Sequence, residues 1–252
     1  MSVLRETALL AGRNLLRFLG SKQLLANTLA FPLALMVMML VVFGKIVSAA
    51  SDGAYIDRLA PAIMLFGAAY SAIGTGVGFF TDIRTGLVDR FCSMPINRSA
   101  IFAGRVCGDL GRVLIVVAVT AAVTYIPGFR FAGGPLAVLA FFGVVLAFAS
   151  IFLWLALVLA LFARNEDVII SMLNPILQLL LFFSSGFVPI TAFPVFLRPV
   201  AESNPLSIAH TALVGLSSGG PVAVPLVQIV VLAAIVNVLL APLAARLYSR
   251  RY

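Results

Sequence analysis

Six long stretches of this chain contain no Asp, Glu, Lys or Arg, and they constrain the fold more than any motif does. They lie within Leu24 to Gly44, Leu59 to Thr81, Val113 to Phe129, Phe131 to Ala163, Val168 to Leu197 and Ser203 to Ala245, the last continuously apolar only after Pro221. A helix needs about 20 apolar residues to cross the hydrocarbon of a bilayer. Charged residues make up 10% of the chain and hydrophobic ones 62%, against about 25% charged in soluble domains. Too few polar side chains remain to clothe a globule, so the outer surface must face lipid, which excludes a soluble enzyme. The third stretch is short unless its helix begins near Ile101 and tolerates Arg105, Asp109 and Arg112 at its inner end, where basic side chains are expected to snorkel. The sequence predicts one all-α integral membrane domain over residues 1–252 with six transmembrane helices.

Six crossings put both termini on one side, and the distribution of basic residues decides which. Arg5, Arg13, Arg17, Lys22, Arg84, Arg90, Arg98, Arg105, Arg112, Arg164, Arg246, Arg250 and Arg251 fall on the terminal side. Only Lys45, Arg58, Arg130 and Arg198 fall on the other. Both ends are therefore expected in the cytoplasm. The net charge of +8, which on a soluble protein would point to nucleic acid, records topology here. Val47-Ser48-Ala49 resembles a signal-peptide cleavage site, but the apolar run before it exceeds the usual 7 to about 15 residues. Cys92 and Cys107 have no metal-ligand spacing and are expected to be reduced thiols.

Residues 1–22 predict an amphipathic interfacial helix. Leu4, Ala8, Ala11, Leu15, Phe18 and Leu19 recur at helical spacing, with Glu6, Arg13 and Arg17 on the opposite side. Its apolar stripe is expected along the acyl boundary, its charged side toward headgroups or a protein below. The piece from Asp82 to Arg112 bears the most charge between spans. Within it Leu87, Phe91 and Met94 stand at i, i+4 and i+7 before Pro95 stops the helix. Such a face either folds back on the chain's own helices or receives a partner.

The span cores hold no carboxylate or base of the kind that binds a coupling ion. A phosphate-binding G-x-x-x-x-G-K-[ST] loop is also missing, since the only lysines are Lys22 and Lys45. Energy for uphill transport would have to enter from another subunit, and the helix around Asp89 is where such a subunit could push. In the fifth span Ser171, Asn174, Gln178 and Ser185 share one helical stripe, which suits either hydrogen bonds between helices or a solute path. Gly74 with Gly78, and Gly104 with Gly108, have the GxxxG spacing of close helix packing. Gly215-Leu216-Ser217-Ser218-Gly219 fits the nucleophile-elbow pattern G-x-S-x-G, with His210 seven residues before Ser217. An elbow needs a strand-to-helix turn, and seven helical residues separate the pair by about 10 Å, beyond hydrogen-bond reach. A Gly/Ser-rich turn is the plainer reading, and no catalytic or metal-binding residue is expected.

Residues 186–220 predict short re-entrant helices on the outer side, since repeated prolines interrupt an apolar segment. The strings Ser184-Ser185-Gly186-Phe187-Val188-Pro189, Phe193-Pro194, Leu197-Arg198 and Asn204-Pro205-Leu206 occur here, with Gly86-Leu87, Pro95-Ile96 and Arg98 on the inner side. Together and in this order they resemble the membrane subunits of ABC type 2 exporters, especially the daunorubicin-resistance type of bacterial permease. The resemblance implies a homo- or heterodimer of permeases in the bacterial cell membrane, exporting a hydrophobic or amphipathic solute such as a drug or lipid. Two ABC ATPase subunits would carry ATP and Mg, leaving this chain without a cofactor. It further implies that region 82–100 holds the coupling helix: Thr85, Gly86 and Pro95 bound it, Leu87, Phe91 and Met94 grip the ATPase, and Asp89 and Arg90 orient it. Glu6, Arg13 and Arg17 of the first helix would also meet the ATPase, and Ser171, Asn174, Gln178 and Ser185 would border the solute path. Asp82 stands where many members carry Glu, which leaves charge intact at that contact. An ATPase-independent channel or carrier is the alternative, and an intramembrane serine hydrolase a more distant one.

Overall fold

The computed structural model describes residues 3–50, 55–87, 98–187 and 190–251. In chain order the helices are α1 (Val3–Gly20), α2 (Lys22–Ala50), α3 (Tyr55–Arg84), α4 (Arg98–Thr124), α5 (Pro135–Phe162), α6 (Glu166–Phe182), α7 (Arg198–Ser203), α8 (Pro205–Ser218) and α9 (Ala223–Arg251), with a 3-10 turn at Ile190–Ala192. No strand occurs among the described residues. Among the described residues, four helical segments are long and apolar enough to cross a membrane: Tyr55–Arg84, Ala103–Thr124, Pro135–Phe162 and Ala223–Ala244.

The centre of the bundle is α3 against α5, with α4, α6 and α8 packed around them and α2 and α9 outside. Small residues make this possible. A Cβ on Gly76 would lie 2.8 Å from Ile169 Cγ2 and 3.2 Å from the Ala156 carbonyl oxygen, so α3 reaches the backbone of α5 and the Ile169 side chain of α6 only because Gly76 has none. Phe141, Phe148, Leu153 and Leu157 of α5 are fully enclosed. The outer helices are apolar on both sides. Ile229 and Ala233 of α9 are buried, while Val227, Val231, Ile235 and Val238 on its outer side are exposed. Exposed aliphatic side chains along whole helices suit a hydrocarbon solvent rather than water.

Local sequence explains the breaks. Asn165 caps α6 by accepting from the Val168 N–H at 3.0 Å, with Glu166 and Asp167 in the first turn. Asn204 does the same for α8, accepting from Leu206 at 2.9 Å ahead of Pro205. Gly86 and Gly219 end α3 and α8 in left-handed conformation, with φ of +68° and +83°. The fifth apolar stretch, expected up to Leu197, is a helix only to Phe182, because the Ser184-Ser185-Gly186 turn follows. The third begins at Arg98 and so gains the length it lacked.

The position of α1 differs from the expected one. Instead of turning all of its apolar stripe toward the acyl boundary, it docks along α4. Gly104, Gly108 and Gly111 form a side-chain-free groove there, and a Cβ on Gly104 would lie 2.7 Å from Leu10 Cβ and 3.1 Å from the Thr7 oxygen. On Gly108 it would lie 3.0 Å from the Ala11 oxygen. Backbone close approach outweighs the bilayer for this face, while Leu9 and Leu16, 61% and 71% exposed, turn outward. Gly108→Val should therefore weaken the α1 contact by about 1–3 kcal/mol, read as a lower unfolding midpoint in detergent. Gly12→Ala, with nothing within 4 Å of its Cβ position, should leave the midpoint unchanged or raise it.

Candidate functional site

The bundle carries most of its internal charge between α3 and α4. Arg105, Asp109 and Arg112 recur at i, i+4 and i+7 on α4, so all three project from one face. Arg105 donates through Nη1 to Asp82 Oδ2 and through Nε to Asp109 Oδ2 at 3.0 Å, and through Nη2 to the Thr75 carbonyl at 3.2 Å. Arg112 pairs with Asp109 Oδ1 at 3.6 Å and donates to the Ser71 carbonyl at 2.7 Å and Thr75 Oγ1 at 2.6 Å. Two guanidiniums and two carboxylates thus cancel, which is the condition for keeping charge in a medium that cannot hydrate it. The inner-end arginines are expected from sequence to snorkel; instead Arg105 and Arg112 turn inward, because carboxylates and carbonyls of the bundle satisfy them there. Arg112 meets α3 at Ser71, near the middle of the helix, so a basic group does occupy a span interior.

Glycine supplies the room. A Cβ on Gly78 would lie 2.6 Å from Arg105 Nη2, and one on Gly74 would lie 3.6 Å from Arg112 Nη1. The Gly74–Gly78 pair therefore receives arginine side chains rather than a helix, whereas the Gly104–Gly108 pair receives α1. The cluster reaches α1 as well: Arg17 Nη1 meets Asp82 Oδ1 at 3.3 Å, and Arg112 lies over the Phe18 ring at 5.7 Å. Asp82 sits in the last turn of α3, just before Thr85 donates back to the Thr81 carbonyl at 2.9 Å and Gly86 turns the chain away. Sequence reading missed this cluster, although the alternating signs at i, i+4 and i+7 opposite two glycines were its signal.

The residues expected to act fall in three places. Thr85, Gly86 and Leu87 close the Arg84 end of α3, while Asp89, Arg90, Phe91, Met94 and Pro95 lie outside the described residues. On α1, Glu6 is buried and Arg17 is engaged with Asp82 although its side chain is 56% exposed; Arg13 is exposed. In α6, Ser171 and Gln178 are exposed and Asn174 is half-buried, so the stripe opens to the outside of the chain. Ser185 leaves that stripe. It lies beyond the helix end, 5% exposed, with its N–H donating to Ser207 Oγ at 2.9 Å. Cys107 is a free, exposed thiol, and Cys92 lies outside the described residues.

At the opposite, Tyr55 end, α8 packs beside α3, α5 and α9, and α7 packs on α8 and the 3-10 turn. Ala132 donates to the Ser217 carbonyl at 2.8 Å, and Asn204 Nδ2 donates to the Leu180 and Phe183 carbonyls, both at 2.9 Å. His210 bonds through Nε2 to the Arg58 carbonyl at 2.8 Å, and burial pushes it down to about 4, so the ring is neutral at pH 7. Ser217 donates to the Val214 carbonyl at 3.1 Å within a helix. Neither geometry builds a nucleophile elbow.

The ABC-2 type transporter family matches residues 5–216. The chain belongs to that family. The permease is 28% identical over 227 residues to the daunorubicin resistance ABC transporter permease protein DrrB1 of Streptomyces coeruleorubidus, covering 90% of this chain and 80% of that one. It is 24% identical over 226 residues to the probable doxorubicin resistance ABC transporter permease protein DrrC of Mycobacterium tuberculosis strain H37Rv, covering 90% and 82%. With DrrB of the same strain it shares 29% over 126 residues, half of this chain and 43% of the relative. As a member, this chain is the membrane permease of an ABC transporter, a transport subunit.

The charge cluster of the permease gives a graded prediction. Asp82→Ala strands Arg105 beside a single remaining carboxylate and should cost about 3–5 kcal/mol. Arg17→Gln breaks only the solvent-screened arm and should cost about 0–1 kcal/mol. Unfolding in detergent of the two variants compares them directly, and equal losses would refute the assignment of Asp82 to an interior pair.

Proposed function

We propose that this permease forms, with a second permease and two ABC ATPases, an ATP-driven exporter of hydrophobic or amphipathic solutes in the bacterial cell membrane. The observation that carries the mechanism is the charge cluster. It ties α1 and α4 to the last turn of α3, next to the point where the chain enters the segment 82–100 that the family resemblance assigns to the ATPase. A push delivered to that segment then reaches three helices held as one unit, since a packed ion-pair network transmits displacement better than a flexible loop does.

In this reading α2 and α6 also cross the membrane, giving six spans, and the Arg84 end faces the cytoplasm, in keeping with the basic residues collected there. The short helices α7 and α8 form the outer re-entrant segment. ATP with Mg binds the partner subunits, draws them together and moves the coupling segments. The permeases then rock between an inward-open and an outward-open arrangement. Leu87, Phe91 and Met94 provide the apolar grip, Asp89 and Arg90 its orientation, and Arg13 an exposed charge on α1. The open stripe of Ser171, Asn174 and Gln178 suits the wall of a path between two permeases: Ser171 donates to the Val168 carbonyl at 3.1 Å, but the amides of Asn174 and Gln178 on a lipid-facing helix would otherwise lack partners. The relatives' names point to drugs as the solute class, and the apolar spans suit an amphiphile better than a glycan.

Phe91→Asp is expected to leave the permease inserted in the membrane while lowering recovery of the ATPase at least tenfold, since a buried aromatic anchor is worth about 2 kcal/mol or more at an interface. Affinity purification of the tagged chain in mild detergent with identification of the soluble subunit, followed by transport in liposomes, measures both. Normal transport by this variant would remove the segment from the mechanism. Solute flux without any ATPase would replace the exporter with a channel.

A further inference from the structure

A cavity of 480 Å³ opens at the Tyr55 end between α3, the turn after α6, the 3-10 turn and α8. Arg58, Ser185, Thr191, His210, Thr211 and Ser218 give it a polar side, and Ile190, Val214 and Pro221 an apolar one. No carboxylate is among its lining residues. Gly186 lets the turn after α6 press inward, because a Cβ there would lie 2.7 Å from Ala62 Cβ and 3.3 Å from His210 Cδ2. That approach carries Ser185 to the cavity wall.

Two groups in this wall are unused. The Ser185 hydroxyl is buried and has no hydrogen-bond partner among the described residues, a state that costs about 1–3 kcal/mol unless something else accepts or donates there. The Arg58 guanidinium makes no ion pair or hydrogen bond among the described residues. The other two described arginines at this end are engaged. Arg130 donates to the Tyr125 and Phe129 carbonyls, both at 2.7 Å, and Arg198 to the Phe193 and Thr191 carbonyls, both at 3.1 Å. Arg198 thereby holds the turn that brings Thr191 to the rim. His210 spends its Nε2 on the Arg58 carbonyl, so the positive charge of the cavity is that of Arg58.

We infer that this cavity is a binding site for the anionic head group, phosphate or carboxylate, of an amphiphile. Arg58 supplies the charge, the Ser185 and Thr191 hydroxyls supply neutral donors, and the apolar wall receives the first carbons beyond the head. A space of this size falls within the range of small-ligand sites, about 300–1,000 Å³, and a bare ion would leave most of it unfilled. The site lies within one permease and is independent of the ATPase, so its test does not depend on transport.

The test uses the full chain in phosphatidylcholine nanodiscs containing phosphatidylglycerol, with native mass spectrometry counting the phosphatidylglycerol retained after release, and with inorganic phosphate as a second, lipid-free probe. Wild type is expected to retain one phosphatidylglycerol. Arg58→Gln should lower that retention about tenfold or more, the worth of a charge-assisted hydrogen bond, and Arg58→Lys should preserve it within a few-fold. Ser218→Glu, at the exposed rim, places a repelling carboxylate in the cavity without touching α3, and should abolish retention even if Arg58→Gln disturbs folding. Retained phosphatidylglycerol that phosphate does not displace assigns the site to lipid head groups. Binding of phosphate alone assigns it to a free anion of the same chemistry. Equal retention in wild type and Ser218→Glu, or binding of neither probe, overturns the proposal.

Discussion

Charge cancelled inside an apolar bundle is the constraint on which the rest of this permease depends. A single arginine at the middle of α3 would be expensive in lipid. Two guanidiniums with two carboxylates form a neutral unit, and Ser71 and Thr75 satisfy most of the donors that remain. The arrangement fixes how α4 lies on α3, because each arginine fills the vacancy left by a glycine on the facing helix. It also fixes α1, whose Phe18 closes over Arg112 and whose Arg17 reaches the same Asp82 that receives Arg105. Hydrophobic attraction alone could not specify these contacts, since lipid tails are as apolar as leucine.

The two ends of the bundle are built on different chemistry. At the Arg84 end, helices are joined by ions: α1, α3 and α4 through the cluster, and α3 to α6 through Thr81 and Glu166 at 3.0 Å. At the Tyr55 end the short elements are held by hydrogen bonds to backbone carbonyls and no ion pair among the described residues, from the neutral side chains of Asn204 and His210 and from the guanidiniums of Arg198 and Arg130. Asn237 bridges α9 to Ser150 of α5 at 2.8 Å in between. An assembly that moves as a lever at one end and rearranges short elements at the other is served by this division. Ion pairs hold α1, α3 and α4 in register, and single hydrogen bonds to carbonyls are exchanged at low cost.

Most of the fold was legible in the sequence because bilayer thickness and helix rise leave few alternatives for a charge-free run. The helices containing the first four stretches, and the break before Pro221, follow from that rule. The end of the fifth stretch was misread because Phe182 to Leu197 stays apolar through a turn, and periodicity alone does not detect a turn made by Ser184, Ser185 and Gly186. The docking of α1 was hidden for a different reason. Its stripe is equally suited to lipid or to protein, and the choice is made by three glycines on α4 whose relation to it is tertiary. The family motifs were readable as an ordered set, whereas the placement of Arg105 and Arg112 required knowing which face of α3 carried Gly74 and Gly78. Ser185 was assigned to a helical stripe by spacing, and the same turn that ended the helix took it elsewhere.

The groove that receives α1 has a further consequence, for the making of the protein. The docking helix is synthesised well before its groove, since Gly104 to Gly111 are added only after two further long apolar helices have been completed. At about 5–20 residues per second this interval is roughly 4 to 17 s. Throughout it, the side of α1 bearing Leu10, Leu15 and Phe18 has no protein surface to cover it, and the headgroup boundary is the nearest place to shelter it. The amphipathic pattern that reads as an interfacial helix therefore describes the nascent chain, and the glycine groove describes the finished one. One sequence encodes both stations of the same helix, in the order in which they are occupied.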